Sequence, residues 1–219
     1  MDTLVFGPRR AELFPSPAGR WDAIVFLLGG GDEAARVTAL LGADAPAVVS
    51  VETDDWNGDF SPRRAEKVFR RGEDFSGGAD AFLAVLSGEI VPRAEAALGF
   101  TPSVRAIAGY SLAGLCALYA VYRTDLFARA ASVSGSLWFD GFTDFVRSQP
   151  PPHAEKVVLT LGDREHKSGN PRMARVQSAT EEIAALLRER GIETTFTLNP
   201  GGHFDHPETR LADAIRSLL

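Results

Sequence analysis

The stretch RAIAGYSLAGLCALYAVY, residues 105–122, places a single serine, Ser111, between an apolar run and a helical pattern of small and apolar residues. A sharp turn from a strand into a helix lifts a serine hydroxyl clear of a sheet, and it needs small neighbours because strand and helix approach closely. Gly109 precedes Ser111, and Ala113 and Gly114 follow it, so the pattern G-x-S-x-G is relaxed to G-x-S-x-A-G. The motif predicts a nucleophilic serine; the alternative is that Ser111 caps a buried helix, a position that serine favours.

A serine is a weak nucleophile unless a neighbouring base removes its proton. In hydrolases with this turn the chain order is serine, acid, histidine, each on a loop after a strand. Of the four histidines, only His203 and His206 follow the last predicted strand, in TLNPGGHFDHPE. The two glycines before His203 let the backbone turn back across the strand ends, whereas His206 precedes Pro207, which favours an extended backbone. We therefore predict that His203 is the general base.

The acid of such a site should follow the strand KVVLTLG. Two carboxylates lie there, Asp163 and Glu165, in the stretch LGDREHKSGN. Either of them could orient the histidine and stabilise its protonated ring. The spacing alone leaves both as candidates.

An acyl transfer also needs two backbone N–H groups that hold the negative oxygen of the intermediate. One belongs to the residue after the nucleophile, Leu112. The three glycines in FLLGGGDEA, residues 26–34, allow close approach to a carbonyl, and Gly30 is the predicted second donor. Neither G-x-x-x-x-G-K-[ST] nor G-x-G-x-x-G fits this loop, and a single cysteine, Cys116, excludes zinc sites with two or more cysteines. We therefore expect no cofactor and no metal.

Short apolar runs that end in glycine or a turn residue alternate with helical patterns along the chain. Such continuous runs suit strands buried on both faces, as in a parallel sheet covered by helices on both sides. The predicted strands are 23–30, 45–52, 103–111, 129–135, 156–163 and 193–202, with TLVF at 3–6 as an added edge strand. Further helices are predicted within 74–98, 173–191 and 209–219. Because no repeat or long linker interrupts this order, residues 1–219 are expected to form one α/β domain.

The composition is that of an ordinary globular protein, with 45% hydrophobic and 24% charged residues. The net charge of −6 and the lack of a long basic stripe argue against a nucleic-acid partner. The N-terminus has no basic start or apolar core of a secretory signal, and no apolar run approaches the roughly 20 residues that span a membrane. We expect a cytoplasmic protein without a membrane partner, and the sequence leaves its oligomeric state open.

Taken together, these motifs resemble the putative esterase family of α/β hydrolases, which includes the enterochelin (siderophore) esterases and esterase D. The segments that carry the resemblance cover nearly the whole chain in family order: FLLGGG, AGYSLAGLCALY, SVSGSLWFDGF, LGDREHK and NPGGHF. The resemblance implies an α/β-hydrolase fold with a mostly parallel sheet of about six to seven strands, helices on both faces and no large lid. It also implies that Glu165 is the acid, because related hydrolases carry the acid in a G-x-x-E stretch that maps onto 162–165.

The chain departs from the family pattern at two places. The first long apolar strand begins at residue 23, so the usual leading antiparallel strands are expected to be reduced or absent. Leu28 stands where the family usually has a histidine before the oxyanion glycine. Both departures predict a shallow, open site and put a direct transfer of the siderophore substrate in doubt.

The longest irregular stretch, 53–75, follows the second predicted strand, and long loops in compact domains are usually functional or mobile. Trp56 in this loop, Tyr110 and Trp138 are predicted to contact substrate, because aromatic walls suit an acyl or aryl group. The loop also carries a basic cluster that could attract an anionic substrate: Arg63, Arg64, Lys67, Arg70 and Arg71. Core packing of the tryptophans and a solvated charged face are the alternatives.

The sequence thus predicts a serine hydrolase that cleaves a small carboxylic ester through an acyl-enzyme, with Ser111, His203 and an acid in named roles. An acyltransferase or a small peptidase would use the same residues. The alternative from another class is a binding protein that keeps the fold without catalysis. Such proteins usually have a damaged triad, whereas this chain keeps all three residue types in order.

Overall fold

A sheet of eight strands forms the centre of the structure, a computed structural model that describes residues 3–19 and 22–219. The strands occur along the chain as β1 (Thr3–Phe6), β2 (Arg9–Phe14), β3 (Ala23–Leu28), β4 (Ala47–Thr53), β7 (Val104–Tyr110), β8 (Arg129–Val133), β9 (Lys156–Gly162) and β10 (Glu193–Asn199). A separate two-stranded hairpin consists of β5 (Arg64–Ala65) and β6 (Phe75–Ser76). In the main sheet the order is β1-β2-β4-β3-β7-β8-β9-β10, and the six strands from β4 to β10 pair in parallel. This confirms the predicted mostly parallel sheet, with one or two strands more than expected.

Strand β1 (Thr3–Phe6) confirms the edge strand predicted at 3–6, whereas β2 corrects the sequence analysis, which expected the leading antiparallel strands to be reduced or absent. Strand β1 pairs antiparallel with β2, and β2 pairs antiparallel with β4. Strand β2 is not a continuous apolar run, because its sequence, RRAELF, mixes charged and apolar residues. Ala11 and Leu13 in it are buried. One face of β2 therefore meets the core while Arg10 reaches Glu52 at 3.2 Å on the other face.

Helices cover both faces of the sheet. They are α1 (Gly31–Leu41), α2 (Trp56–Asp59), α3 (Ala79–Val85), α4 (Val91–Leu98), α5 (Leu112–Arg123), α6 (Phe142–Ser148), α7 (Val176–Glu189) and α8 (Pro207–Leu218). Helices α1 and α8 pack on one face and bury a cluster that includes Val37 and Ile215. The larger cluster on the other face includes Phe82, Leu118 and Leu187 from α3, α5 and α7. Two buried clusters, one on each face, explain why the inner strands are apolar on both sides.

The helix predicted within 74–98 begins at Ala79 and contains a wider π turn, Leu86–Ile90, between α3 and α4. The helices predicted within 173–191 and 209–219 are α7 and α8. No helix in the described part of the chain is both long enough and apolar enough to cross a membrane.

Six strands of the main sheet are parallel: β3, β4, β7, β8, β9 and β10. Their carboxyl ends therefore lie along one edge of the sheet, where α/β proteins bind ligands. The turn after β7, the loop after β9 and the loop after β10 therefore meet there. The stretch 53–75, which was predicted to be irregular, also crosses this edge of the sheet. It forms the short helix α2 and then the β5–β6 hairpin. We call residues 64–76 the flap.

Candidate active site

Ser111 is the single residue between β7 and α5. Its backbone has φ 59° and ψ −123°, a conformation that residues other than glycine rarely adopt. Its N–H donates to the carbonyl of Val133 at 3.0 Å, and its carbonyl accepts the N–H of Ser136 at 2.9 Å. These bonds hold the turn against β8 and the loop that follows it. The Ser111 hydroxyl makes no capping hydrogen bond to the first turn of α5. The geometry is therefore that of a half-buried serine on a strained strand-to-helix turn, and it differs from an ordinary helix cap.

The small residues around the turn are required by the close approach of strand and helix. A Cβ atom at Gly109 would lie 2.5 Å from the backbone of Ala113, a distance that real Cβ atoms do not show. A Cβ atom at Gly114 would lie 2.8 Å from the carbonyl oxygen of Gly109. Both glycines are thus fixed by contact, and the methyl group of Ala113 is accommodated between them.

His203 lies on the loop after β10 and links the serine to a carboxylate. Its Nε2 is 3.0 Å from Ser111 Oγ, and its Nδ1 is 2.7 Å from Glu165 Oε2. This arrangement requires Nδ1–H to donate to the carboxylate, which leaves Nε2 to accept the proton of the serine hydroxyl. The structure brings Ser111, His203 and Glu165 into one hydrogen-bonded chain. His206 caps α8 and is exposed.

The two candidate acids have different contacts. Glu165 is buried in a short helical turn, Glu165–Lys167, and its Oε1 accepts the N–H of Gly162 at 2.7 Å. Burial acts to raise the pKa of Glu165, but the hydrogen bonds from His203 and Gly162 outweigh burial and hold that pKa below its usual value. Asp163 is exposed, and its Oδ1 accepts the N–H of Gly201 at 2.9 Å. Asp163 therefore braces the histidine loop, whereas Glu165 contacts the histidine itself.

A buried arginine that sequence reasoning missed lies behind the acid. Arg210 on α8 donates from Nη1 to Glu165 Oε1 at 3.3 Å and to Ser134 Oγ at 3.1 Å, and from Nη2 to the carbonyl of Pro200 at 2.9 Å. Its side chain is only 4% exposed. The guanidinium thus connects the loops after β8, β9 and β10. A buried charge of this kind is tolerated only with such partners, so it fixes their relative positions.

Tyr110 differs from its predicted role as a substrate contact. It is buried, and its hydroxyl donates to the main-chain carbonyl of His203 at 2.5 Å. Burial raises the pKa of Tyr110, which keeps the hydroxyl protonated and able to donate. The cavity in front of Ser111 has other walls, and Tyr110 supports the histidine from behind.

The predicted oxyanion donors lie at the same edge of the sheet. Leu112 begins α5 directly after Ser111, and the first N–H groups of a helix have no acceptor within the helix, so its N–H needs a partner from outside α5. Leu28 at the end of β3 pairs in register with Gly109 at the end of β7. The glycine loop that contains Gly30 therefore leaves the sheet next to the serine turn. Gly30 itself does not line the cavity in front of Ser111, and its role as a donor stays a prediction.

A cleft in front of the triad consists of two lobes. The first lobe has a volume of about 160 Å³ and contains Ser111 and Leu112, with walls that include Trp56, Phe75 and Trp138. The second lobe, of about 480 Å³, lies beside the first and is lined by residues that include Ser134, Glu165, Lys167 and Asn170. Six residues line both lobes: Val68, Phe69, Trp138, Met173, His203 and Phe204.

The flap forms the roof of this cleft. Val68 and Phe69 at its tip line both lobes. The carbonyl of Val68 accepts the side-chain amide of Asn170 at 3.0 Å, and that of Glu66 accepts Arg172 Nη1 at 2.7 Å. Asn57 Nδ2 also donates to the carbonyl of Glu73 at 2.9 Å, so the cover of the cleft is a short hairpin held by side chains from two other segments of the chain.

Among the described residues, no group of three or more histidine, cysteine, aspartate or glutamate side chains is arranged to hold a metal ion. Cys116 is buried in α5, and burial raises its thiol pKa well above the usual value. A neutral buried thiol of this kind is inert as a nucleophile.

Comparison with known proteins places the chain beside esterases. The family model described as putative esterase matches residues 12–206. Among solved structures, the siderophore hydrolase EstB from Aspergillus nidulans has a TM-score of 0.76 at 15% identity, with 100% of this chain and 94% of that chain covered. The siderophore hydrolase EstA from the same organism has a TM-score of 0.70 at 20% identity, with 97% and 90% covered.

An IroE-like serine hydrolase from Shewanella oneidensis has a TM-score of 0.73 at 20% identity, with 95% of this chain and 74% of that chain covered. At these identities the solved structures establish a shared fold. Comparison with curated proteins gave no match.

Proposed function

The chain belongs to the putative esterase family of carboxylic ester hydrolases, and we propose that it cleaves its substrate through an acyl-enzyme formed on Ser111. The observation that carries this proposal is the hydrogen-bonded chain from Ser111 Oγ through His203 to Glu165, at 3.0 Å and 2.7 Å. A binding protein without catalysis has no need of a strained serine aligned with a base and a buried acid.

In the first step, Ser111 Oγ attacks the ester carbonyl while His203 Nε2 takes the hydroxyl proton. The ionised Glu165 keeps the Nδ1–H tautomer in place and stabilises the protonated ring that forms. As the tetrahedral intermediate collapses, His203 returns the proton to the leaving alkoxide, and the acyl group stays on Ser111. Water, activated by the same histidine, then attacks the acyl-enzyme, releases the acid and restores the serine.

The negative oxygen of each tetrahedral intermediate needs donors that are in place before the reaction. We assign the N–H of Leu112 as one donor, because it starts α5 directly after the nucleophile. We assign Gly30 as the second donor, because the register of β3 and β7 brings its loop to the serine turn. Each such donor typically contributes about 100-fold or more to the rate.

Labelling with a fluorophosphonate probe tests the proposal. Peptide mapping is expected to find the probe on Ser111, because an activated serine reacts at phosphorus as it does at a carbonyl. The His203→Ala variant should lose the labelling while it keeps its fold, as measured by circular dichroism. A folded protein without label at Ser111 would contradict the proposal and would favour a binding role.

We further propose that Arg210 positions Glu165 and, through it, His203. The Arg210→Gln variant is expected to lower kcat by about 10- to 100-fold with KM nearly unchanged, because a misplaced triad slows chemistry more than it weakens binding. Turnover is measured per active site titrated with the probe, so that unfolded molecules do not count. Arg210→Lys, which keeps a cation near Glu165, should recover part of the loss. Equal turnover per titrated site in wild type and Arg210→Gln would show that the residue acts on folding alone.

A further inference from the structure

The two lobes of the cleft have different relations to the catalytic residues. Ser111 and Leu112 line only the first lobe, so the carbonyl that is attacked must enter it. His203 lines both lobes, whereas Glu165, on the far side of the histidine from the serine, lines only the second. In the mechanism proposed above, His203 delivers the proton to the leaving oxygen, so the alcohol portion of the ester must lie on the side of the histidine. The second lobe is therefore the place for the alcohol portion, and the smaller first lobe holds the acyl portion.

The charges that line the lobes also differ. The first lobe has one cation, Lys67, and one carboxylate, Glu73. The second lobe is lined by two cations, Arg164 and Lys167, and its only carboxylate is Glu165. Glu165 is already bound to His203 and to Arg210.

The lysines of the chain are few, and one of them lines each lobe. The chain has three lysines, and two of them line the cleft. The third, Lys156, forms a salt bridge with Glu193 at 3.2 Å. Within the described ranges, neither Lys67 nor Lys167 forms a salt bridge, and Arg164 pairs only with Asp205 at 3.3 Å. The lobes differ because Glu73 accompanies Lys67 in the first lobe, whereas the only carboxylate beside Lys167 is Glu165, which already has its partners. In a protein of net charge −6, a cleft wall with an uncommitted ammonium group attracts anions locally.

We propose that the second lobe binds an alcohol portion that carries an anionic group, recognised by Lys167 and Arg164, while the aromatic first lobe takes a compact acyl group. This inference rests on the proposed function. The polar side chains of Ser168 and Asn170 in the same lobe are further partners for the anion or for its water shell. The product that leaves the second lobe would then be an anionic alcohol.

Two matched esters test the proposal: 3-acetoxybenzoate, which has an anionic leaving phenol, and 3-acetoxybenzamide, which has a neutral one. At low ionic strength the wild type is expected to show a kcat/KM about 3- to 10-fold higher for the anionic ester. Lys167→Gln should remove most of this preference, so that the ratio of the two kcat/KM values falls toward one. Lys156→Gln is the matched control, since Lys156 lies at the opposite end of β9, and it should change neither value. Added salt should reduce the preference of the wild type.

The failure of the inference can be told apart from the failure of the proposed function. If the neutral ester is cleaved and the anionic ester is not favoured, the inference is overturned while the triad mechanism stands. A loss for both esters in Lys167→Gln, or an equal loss in Lys156→Gln, would also overturn it. If neither ester is cleaved and the probe does not label Ser111, the proposed function itself is wrong.

Discussion

Replacing Ser111 with alanine is expected to lower kcat/KM for any ester that the protein cleaves by about 10⁴- to 10⁶-fold. In the proposed mechanism the Ser111 Oγ forms the acyl-enzyme, and a water molecule in its place would be a far weaker nucleophile toward an unactivated ester. The measurement is the initial rate with 4-nitrophenyl acetate and butyrate, at enzyme concentrations high enough to detect the residual activity. Circular dichroism and thermal unfolding serve as controls, and they should show an intact fold because the alanine fills less space at the same position.

The double variant Ser111→Ala/His203→Ala sharpens this test. Because the two residues act as one unit, the double variant should be about as slow as either single variant. Additive losses would mean that His203 acts on a different nucleophile. A Ser111→Ala variant with more than a few per cent of wild-type activity would contradict the acyl-enzyme mechanism.

The second large effect is expected at the acid. Glu165→Gln should lower kcat by about 10⁴-fold, as the loss of the orienting carboxylate does in comparable triads. The amide keeps the shape of the side chain, but it removes the negative charge that stabilises the protonated ring of His203. It can also present an N–H to Nδ1, which selects the wrong tautomer. The measurement is kcat on the same two esters, normalised to the number of sites that the probe titrates.

Asp163→Asn is the matched control for Glu165→Gln. Its Oδ1 accepts the N–H of Gly201 at 2.9 Å, and the carbonyl oxygen of asparagine can still accept that bond. We therefore expect a loss of no more than about tenfold, since only the bracing of the histidine loop is weakened. If Asp163→Asn proved the more damaging of the two, the acid would have to be reassigned to Asp163, and the serine and histidine would keep their roles.

The fold could be predicted from the sequence wherever a strand is buried on both faces. The segments that form β3, β7, β8 and β9 are largely continuous apolar runs. They can be recognised without knowing which distant segments they pair with. Strand β2 could not be found in this way because only one of its faces meets the core. Its identity as a strand depends on the pairing with β4, which lies more than thirty residues away in the chain.

The site could be predicted as far as chain order determines it. The order serine, acid, histidine follows from the loops at one sheet edge, and those loops do contain Ser111, Glu165 and His203. The choice between Asp163 and Glu165 could not be made from spacing, because it depends on the short helical turn that buries one carboxylate and exposes the other. Only the family resemblance pointed to Glu165.

The contacts that Arg210 and Tyr110 make with the triad could not be predicted from the sequence. Helical spacing places Arg210 on the buried face of α8 with Ala214 and Leu218, but its partner Glu165 lies 45 positions away along the chain and is not indicated by that pattern. Tyr110 was predicted to contact substrate as part of an aromatic wall, yet it does not line the cavity, and its hydroxyl donates to the His203 carbonyl instead. Both cases show that burial of a polar side chain depends on packing between distant segments.

At Ser111 the stability of the fold and the proposed reaction favour different residues. A residue with a side chain held at φ 59° and ψ −123° costs the folded state about 1–3 kcal/mol, and glycine at the same place would avoid most of that cost. Mutational drift toward thermostability would therefore favour glycine at the one position where only a hydroxyl supports the reaction. A lineage that no longer needed the activity would be expected to lose the serine early, while the glycines at 109 and 114, which are fixed by contact, would persist.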